Sequence, residues 1–123
     1  MYNEKILSLF EKPKNVGIVK CADGMGEAGN VEDGQIVKIY IRVEDEVIKE
    51  AKFKAYGGVL TIAGACELTN LIKDYMVDKA KMLTTADLAK SLELDGVNSP
   101  ELDICIEALI TAISEYYKNQ LCK

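Results

Sequence analysis

A change in hydrophobic period constrains the fold of this chain more than any other feature. Apolar and polar residues alternate from Val37 to Val43, and the alternation resumes from Ala51 to Ala55 after an acidic turn at residues 44–46. A period of two predicts a hairpin with one buried face. Downstream the period becomes 3.6, which predicts a long helix that covers this face. The apolar stripe of that helix comprises Ile62, Ala65, Cys66, Thr69, Ile72 and Met76.

Start and stop signals predict three further helices. An N-terminal helix over Tyr2–Glu11 stops before Pro13, because proline disfavours a helical conformation in the residue before it. Thr84 with Asp87 predicts a capping box for a short helix that runs through Leu92. Ser99 and Pro100 are typical of the N-cap and first position of a final helix. Its predicted buried face carries Leu102, Cys105, Ala108, Leu109, Ala112, Ile113 and Tyr116.

The segment between the first helix and the hairpin gives weaker signals. Val16–Lys20 is a short apolar run that predicts the first strand, and the stretch from Ala22 to Gly34 is rich in glycine and acid, which predicts a solvated loop. The order of a helix, three strands and then helices predicts an α+β fold. We therefore expect one domain over residues 1–123, with a small three-stranded antiparallel sheet and helices packed on one face.

Composition excludes several classes of function. The chain has no histidine, which removes Ser-His and Cys-His catalytic pairs and imidazole metal ligands. Its net charge of -5 and the absence of a long apolar run predict no nucleic-acid or membrane partner. Because no pair of a nucleophile and a base is visible in the sequence, we predict that the chain is not an enzyme; the alternative is an enzyme of unrelated chemistry that reuses the fold. The polar face of the hairpin carries residues that are interpreted as solvated rather than catalytic, namely Lys38, Tyr40, Lys52, Lys54 and Tyr56.

A GxGxxG pattern at Gly24–Gly29 raises the possibility of a dinucleotide site. A phosphate cradle needs a helix N-terminus directly after the glycines, whereas here a turn and a strand are expected to follow. The neighbouring Asp23, Glu27 and Asp33 would also repel a pyrophosphate. The pattern is therefore interpreted as part of the solvated loop.

The four cysteines form no CxxC pair, which disfavours a disulfide framework and indicates a reducing cytoplasm. Cys66 and Cys105 lie in apolar helical stripes and are predicted to be small buried hydrophobes, with a shared metal as the alternative. Cys21 lies in a polar, glycine-rich segment and is the best candidate for a reactive or metal-binding thiol, or else an incidental loop cysteine. Cys122 is predicted to be a solvent-exposed thiol.

Several segments together resemble a known family. They are Tyr2, the run Phe10–Gly17 with its Pro-x-Asn-x-Gly pattern, Phe53–Gly57, and Ala86–Leu92. In this order they are similar to the iron-sulfur cluster assembly scaffold family of the IscU and NifU N-terminal type, over essentially the whole chain.

The resemblance implies a site and a set of partners. In that family three cysteines hold a nascent [2Fe-2S] cluster or a zinc ion, with an aspartate and a histidine nearby. On this chain the three cysteine positions fall at Asp33, Gly58 and Glu101, the aspartate at Gln35 and the histidine at Pro100. The chaperone-binding motif falls at Asp95–Asn98. Partners implied for the chain are a cysteine desulfurase or another iron-sulfur assembly protein.

None of the three implied ligand positions carries a cysteine on this chain, and iron in such clusters requires soft thiolate ligands. We expect a scaffold-like protein that holds no cluster at the three-cysteine site and acts as a binding or regulatory module in iron-sulfur biogenesis. The alternative is a metal or sulfur carrier with a relocated site, in which Cys21 acts with Asp33 or Glu101. The oligomeric state stays open at this point.

Overall fold

A computed structural model describes residues 2–94 and 99–121. Its three strands form one antiparallel sheet in the order β1-β2-β3, and α2 and α5 pack on the same face of that sheet. The predicted fold class is therefore confirmed. The elements are α1 (Glu4–Glu11), β1 (Gly24–Asn30), β2 (Gln35–Glu44), β3 (Val47–Tyr56), α2 (Val59–Ile72), α3 (Val77–Ala80), α4 (Thr85–Ser91) and α5 (Pro100–Leu121).

The predicted hairpin is formed by β2 and β3. Ile39 pairs with Phe53, and both side chains are buried in the core beneath the helices. The acidic turn is two residues long, with Asp45 and Glu46 at φ of 51° and 64°. Two successive positive φ values belong to the tight turn that matches the twist of a hairpin. The alternating pattern therefore predicted both the pairing and the buried face correctly.

The predicted loop from Ala22 to Gly34 is wrong over most of its length, because residues 24–30 form the edge strand β1. Gly26 pairs with Ile39 of β2, and α5 lies directly over the strand. A Cβ on Gly24 would lie 2.2 Å from the carbonyl oxygen of Ala112, and one on Gly26 would lie 2.1 Å from that of Ala108. The GxGxxG pattern therefore serves close strand–helix packing and not a phosphate cradle.

The predicted first strand at Val16–Lys20 is also wrong. Val16 makes only an isolated parallel bridge to Phe53, and Gly17 has a φ of 136°, which interrupts an extended strand. Gly17 N donates to the carbonyl of Phe53 at 2.8 Å, and Phe53 N donates to that of Asn15 at 2.9 Å. This segment therefore covers part of the edge of β3 without forming a strand.

The helix signals are confirmed with small shifts. Thr84 and Asp87 form the predicted capping box, and Pro100 is the first residue of α5. The helix α2 ends at Ile72 and not near Met76, which is 50% exposed and precedes α3. Within the described residues, no helix combines the length and the apolarity that are needed to cross a bilayer.

A buried carboxylate fixes α1 against the body of the molecule. Glu67 of α2 is only 6% exposed and accepts from the ammonium of Lys5 at 3.0 Å and from the hydroxyl of Ser91. Lys5 Nζ also donates to the carbonyl of Ser91 at 2.5 Å. A buried charge is tolerated when its partners satisfy it in this way. The network therefore joins α1, α2 and α4.

Candidate functional site

The three segments that carry the implied ligand positions meet at one end of the fold. Gln35 begins β2, and its side-chain oxygen accepts from the hydroxyl of Thr61 in the first turn of α2, at 2.8 Å. The thiol of Cys105 donates to the carbonyl of Thr61 at 3.6 Å. Cys105 lies one helical turn after Glu101 in α5. The starts of β2, α2 and α5 are thereby held together, and Thr61 joins all three.

Asp33 belongs to the tight turn between β1 and β2. Its backbone N–H donates to Asn30 Oδ1 at 2.7 Å, and its Oδ2 accepts from Asn30 Nδ2 at 3.0 Å. Gly34 follows with a φ of 74°, as a left-handed turn position favours. These contacts make Asp33 a structural residue of the turn. Its carboxylate is exposed and acts within its own turn.

Gly58 is the N-cap residue of α2 and offers no side-chain donor atom. Its φ of -80° and ψ of -173° are accessible to any residue. Among the described residues, no atom outside its chain neighbours would lie within 4 Å of a Cβ placed there. Gly57 differs, because its φ of 154° favours glycine. Position 58 could therefore carry a side chain without strain.

Glu101 lies in the first turn of α5, where a carboxylate interacts favourably with the helix dipole. Its Oε2 accepts from the hydroxyl of Ser99 at 2.5 Å, and Ser99 is buried. Pro100 precedes it and has no ionisable or metal-binding atom in its side chain. The carboxylate of Glu101 is thus engaged by a local hydrogen bond at the helix start.

These residues do not fit a thiolate-bound cluster or a tetrahedral structural zinc ion. Two carboxylates, an amide, a glycine and a proline supply only hard oxygen donors, whereas such clusters require mostly cysteine thiolates. Across residues 2–94 and 99–121, no group of three or more cysteine, aspartate or glutamate side chains is placed to hold a metal ion. The side chains at Asp33, Gly58 and Glu101 therefore do not supply the donor set that such a cluster or zinc ion requires.

The structure does not assemble the relocated site around Cys21. Cys21 is exposed in a turn before β1, whereas Asp33 lies beyond the other end of that strand, about 20 Å away at the rise of a seven-residue strand. Asn119 Nδ2 donates to the carbonyl of Asp23 at 2.9 Å, so Cys21 lies near the C-terminal end of α5. Glu101 is at the opposite end of that helix, about 27 Å along its axis.

The two helical cysteines are fully buried, which confirms their interpretation as small hydrophobes. Cys66 Sγ contacts the backbone of Lys14, accepting from its N–H at 3.3 Å, whereas Cys105 Sγ contacts Thr61. The thiols thus face different segments and do not form the shared metal site of the alternative. Burial, with a contribution from the charge of Glu101, raises the pKa of Cys105 from 9.0 to about 12. Cys122 and the segment Asp95–Asn98 lie outside the described residues.

Alkylation should distinguish these thiols. At pH 8 we expect iodoacetamide to modify exposed Cys21 and to leave Cys105 unmodified until the protein unfolds, because a protonated, buried thiol is a poor nucleophile. Mass spectrometry of tryptic peptides measures the modification, and equal rates at both cysteines would contradict this assignment.

The raised pKa of Cys105 also predicts how stability depends on pH. Above pH 9 the unfolded chain releases the thiol proton while the folded chain keeps it, so the free energy of unfolding should fall as the pH rises toward 12.

Comparison with known proteins places the chain in a family. The profile described as "NifU-like N terminal domain" matches residues 1–123. The chain belongs to this family. Among its NifU-like relatives, the iron-sulfur cluster assembly scaffold protein IscU of Escherichia coli K12 is 32% identical over 126 residues, covering 99% of this chain and 98% of that protein. IscU of Aquifex aeolicus is 34% identical over 124 residues, covering 97% of this chain and 78% of that protein.

Solved structures support the NifU-like fold. A putative iron-sulfur cluster assembly scaffold protein for the SUF system from Fervidobacterium islandicum superposes with a TM-score of 0.76 at 18% identity, covering 91% of this chain and 96% of that one. The N-terminal part of a nitrogen-fixing NifU-like protein from Brucella abortus gives a TM-score of 0.62 at 14% identity, covering 97% of this chain and 83% of that one. The resemblance that the sequence motifs indicated is therefore confirmed.

Thr61 was not predicted to belong to this site. It lies three residues after Gly58, at the start of an apolar helix, and is fully buried. A buried hydroxyl requires a hydrogen-bond partner, and Gln35 supplies one. The sequence signal at Thr61 is a single polar residue within a stretch of apolar and small residues. Helical spacing does not predict its hydrogen bond to Gln35 of β2.

Proposed function

We propose that this NifU-like chain is a binding or regulatory module of iron-sulfur cluster assembly that holds no cluster at the three family positions. The observation that carries this proposal is the donor set at those positions. Asp33 and Glu101 are engaged in local hydrogen bonds, and Gly58 has no side chain. Loss of the ligands together with retention of the fold favours a role in which surfaces, and not a bound cluster, are used.

A surface for such a role is present near the N-terminus. Before β1 the chain exposes five large apolar side chains, which we call the N-terminal apolar surface: Tyr2, Leu7, Phe10, Val16 and Ile18. The helix α1 is held against the body of the molecule by buried Ile6 and by the ion pair of Lys5 with Glu67. Clustered exposed apolar side chains are typical of protein-binding surfaces.

The proposed partner is a cysteine desulfurase or another protein of iron-sulfur assembly. The relatives named above are described as iron-sulfur cluster assembly scaffold proteins, and a scaffold works in contact with other assembly proteins. We assign no catalytic step to the chain. In this role it docks on its partner without accepting sulfur at the usual cysteine positions.

Calorimetric titration with a cysteine desulfurase from the same organism tests this proposal. We expect the wild-type chain to bind and the double variant Leu7→Asp/Phe10→Asp to bind at least about tenfold more weakly, because it places two charges in an apolar contact. The matched control is Leu121→Asp, which introduces a charge at an exposed apolar residue at the end of α5. The control should retain wild-type affinity.

Two outcomes would overturn the proposal. Absence of binding by the wild-type chain to the desulfurase, and to a cysteine-containing scaffold of the same organism, would remove the docking role. Equal weakening by the double variant and by Leu121→Asp would show that the N-terminal apolar surface is not the contact. Circular dichroism of each variant checks that the fold is retained.

A further inference from the structure

The outer face of the sheet contains an open groove that the proposed function does not use. It has a volume of about 240 Å³ and is lined by Ile36, Lys38, Lys54, Ala55 and Tyr56. The neighbouring Val37, Ile39 and Phe53 are buried on the opposite face, beneath the helices. Because side chains alternate between the two faces of a strand, Lys38, Lys54 and Tyr56 project away from the core.

Two like charges face each other in this groove. Lys38 of β2 and Lys54 of β3 are direct partners in the antiparallel register. Such a pair of like charges is unfavourable unless an anion lies between them. Lys38 forms an ion pair with Glu27 of β1 at 3.7 Å, whereas Lys54 forms no ion pair within residues 2–94 and 99–121. The charge of Lys54 therefore stays uncompensated among the described residues, on a chain whose net charge is -5.

Two large side chains with apolar surface lie next to this lysine pair. Ile36 and Tyr56 are the next outward-facing partners along the same two strands. Tyr56 is 68% exposed, which leaves most of its ring open to solvent. The adjacent carboxyl end of β3 leads into Gly57 and Gly58, so the groove borders the candidate site.

We propose that this groove docks an acidic and apolar segment of a partner protein. A carboxylate of the segment lies between Lys38 and Lys54, and a neighbouring apolar side chain packs on Ile36 and Tyr56. The groove is open and smaller than the roughly 300–1,000 Å³ of pockets that enclose small organic ligands. An extended segment needs no enclosure, because its contacts continue across the sheet.

Amide chemical-shift titration with a defined probe tests this docking site. The probe is the peptide acetyl-Leu-Asp-Glu-Leu-amide, and its uncharged counterpart is acetyl-Leu-Asn-Gln-Leu-amide. We expect saturable shifts at residues 36–38 and 54–56 with the acidic peptide, and binding about tenfold weaker for the Lys54→Glu variant. The matched control is Lys49→Glu, the same charge change at another exposed position of β3, which should bind like wild type.

The folded state should survive the Lys54→Glu change, since a glutamate there faces Lys38 and replaces repulsion with attraction. A midpoint of thermal unfolding no lower than that of wild type excludes unfolding as the cause of lost binding. The proposal is overturned if the neutral peptide binds equally, if sodium acetate alone reproduces the shifts, if both variants respond alike, or if no saturable shifts occur in the groove. None of these results bears on desulfurase binding through the N-terminal apolar surface.

Discussion

A variant carrying Asp33→Cys, Gly58→Cys and Glu101→Cys is expected to retain about one zinc ion per chain after desalting, whereas the wild type retains none. The contacts of Thr61 hold the starts of β2, α2 and α5 together, so three thiolates introduced there would face a common space. Position 58 accepts a side chain without a clash or a change of backbone conformation. A water molecule completes the tetrahedral set.

The matched control for this gain is the variant Asp33→Ser/Gly58→Ser/Glu101→Ser. Serine is close to cysteine in size, so it reproduces the loss of both carboxylates and the new side chain at position 58 without supplying thiolates. Both variants keep the native cysteines, which removes zinc binding at Cys21 as an explanation. Equal zinc content in the two variants, measured by elemental analysis, would show that the three positions do not form a site.

Replacement of Gly26 by alanine is expected to lower the free energy of unfolding by about 2–4 kcal/mol. The new Cβ would lie 2.1 Å from the carbonyl oxygen of Ala108 and 2.4 Å from the backbone nitrogen of Ala112. Neither atom belongs to a side chain that can rotate away, so α5 must separate from β1. Chemical denaturation followed by circular dichroism measures the loss.

Gly58→Ala is the control for this substitution, because it adds the same methyl group at a position where the structure leaves room. We expect it to change the free energy of unfolding by less than about 0.5 kcal/mol. If Gly26→Ala proved as stable as Gly58→Ala, the direct contact between β1 and the backbone of α5 would be contradicted.

The hairpin was predictable from sequence, whereas the strand beside it was not. In β2 and β3, apolar and polar residues alternate, and this alternation predicts both the strands and their buried face, which includes Ile39 and Phe53. Gly24 and Gly26 carry no side chain from which to recognise alternation, and glycine weakens an isolated strand. Their strand conformation is imposed by pairing with β2 and by the approach of α5, which are long-range contacts.

The candidate site was predictable in part. Family resemblance implied Asp33, Gly58 and Glu101 as the ligand positions, which stays a prediction, and the signal of Ser99 and Pro100 correctly indicated a helix start there. The hydrogen bonds of Thr61 to Gln35 and Cys105 join segments that are distant in sequence, so no local pattern contains them. The lysine pair depends on the strand register, which fixes Lys38 opposite Lys54.

The most direct test of a cluster-free role is reconstitution of the wild-type protein with ferrous iron and sulfide. The protein is incubated anaerobically with both and with a reductant, then desalted and measured by iron analysis and visible absorption, with Cys21→Ser alongside. We expect a colourless, metal-free protein in both cases, since the family positions supply no thiolate. Stoichiometric iron with charge-transfer bands, lost in Cys21→Ser, would contradict this and show that the chain has built a different cluster site.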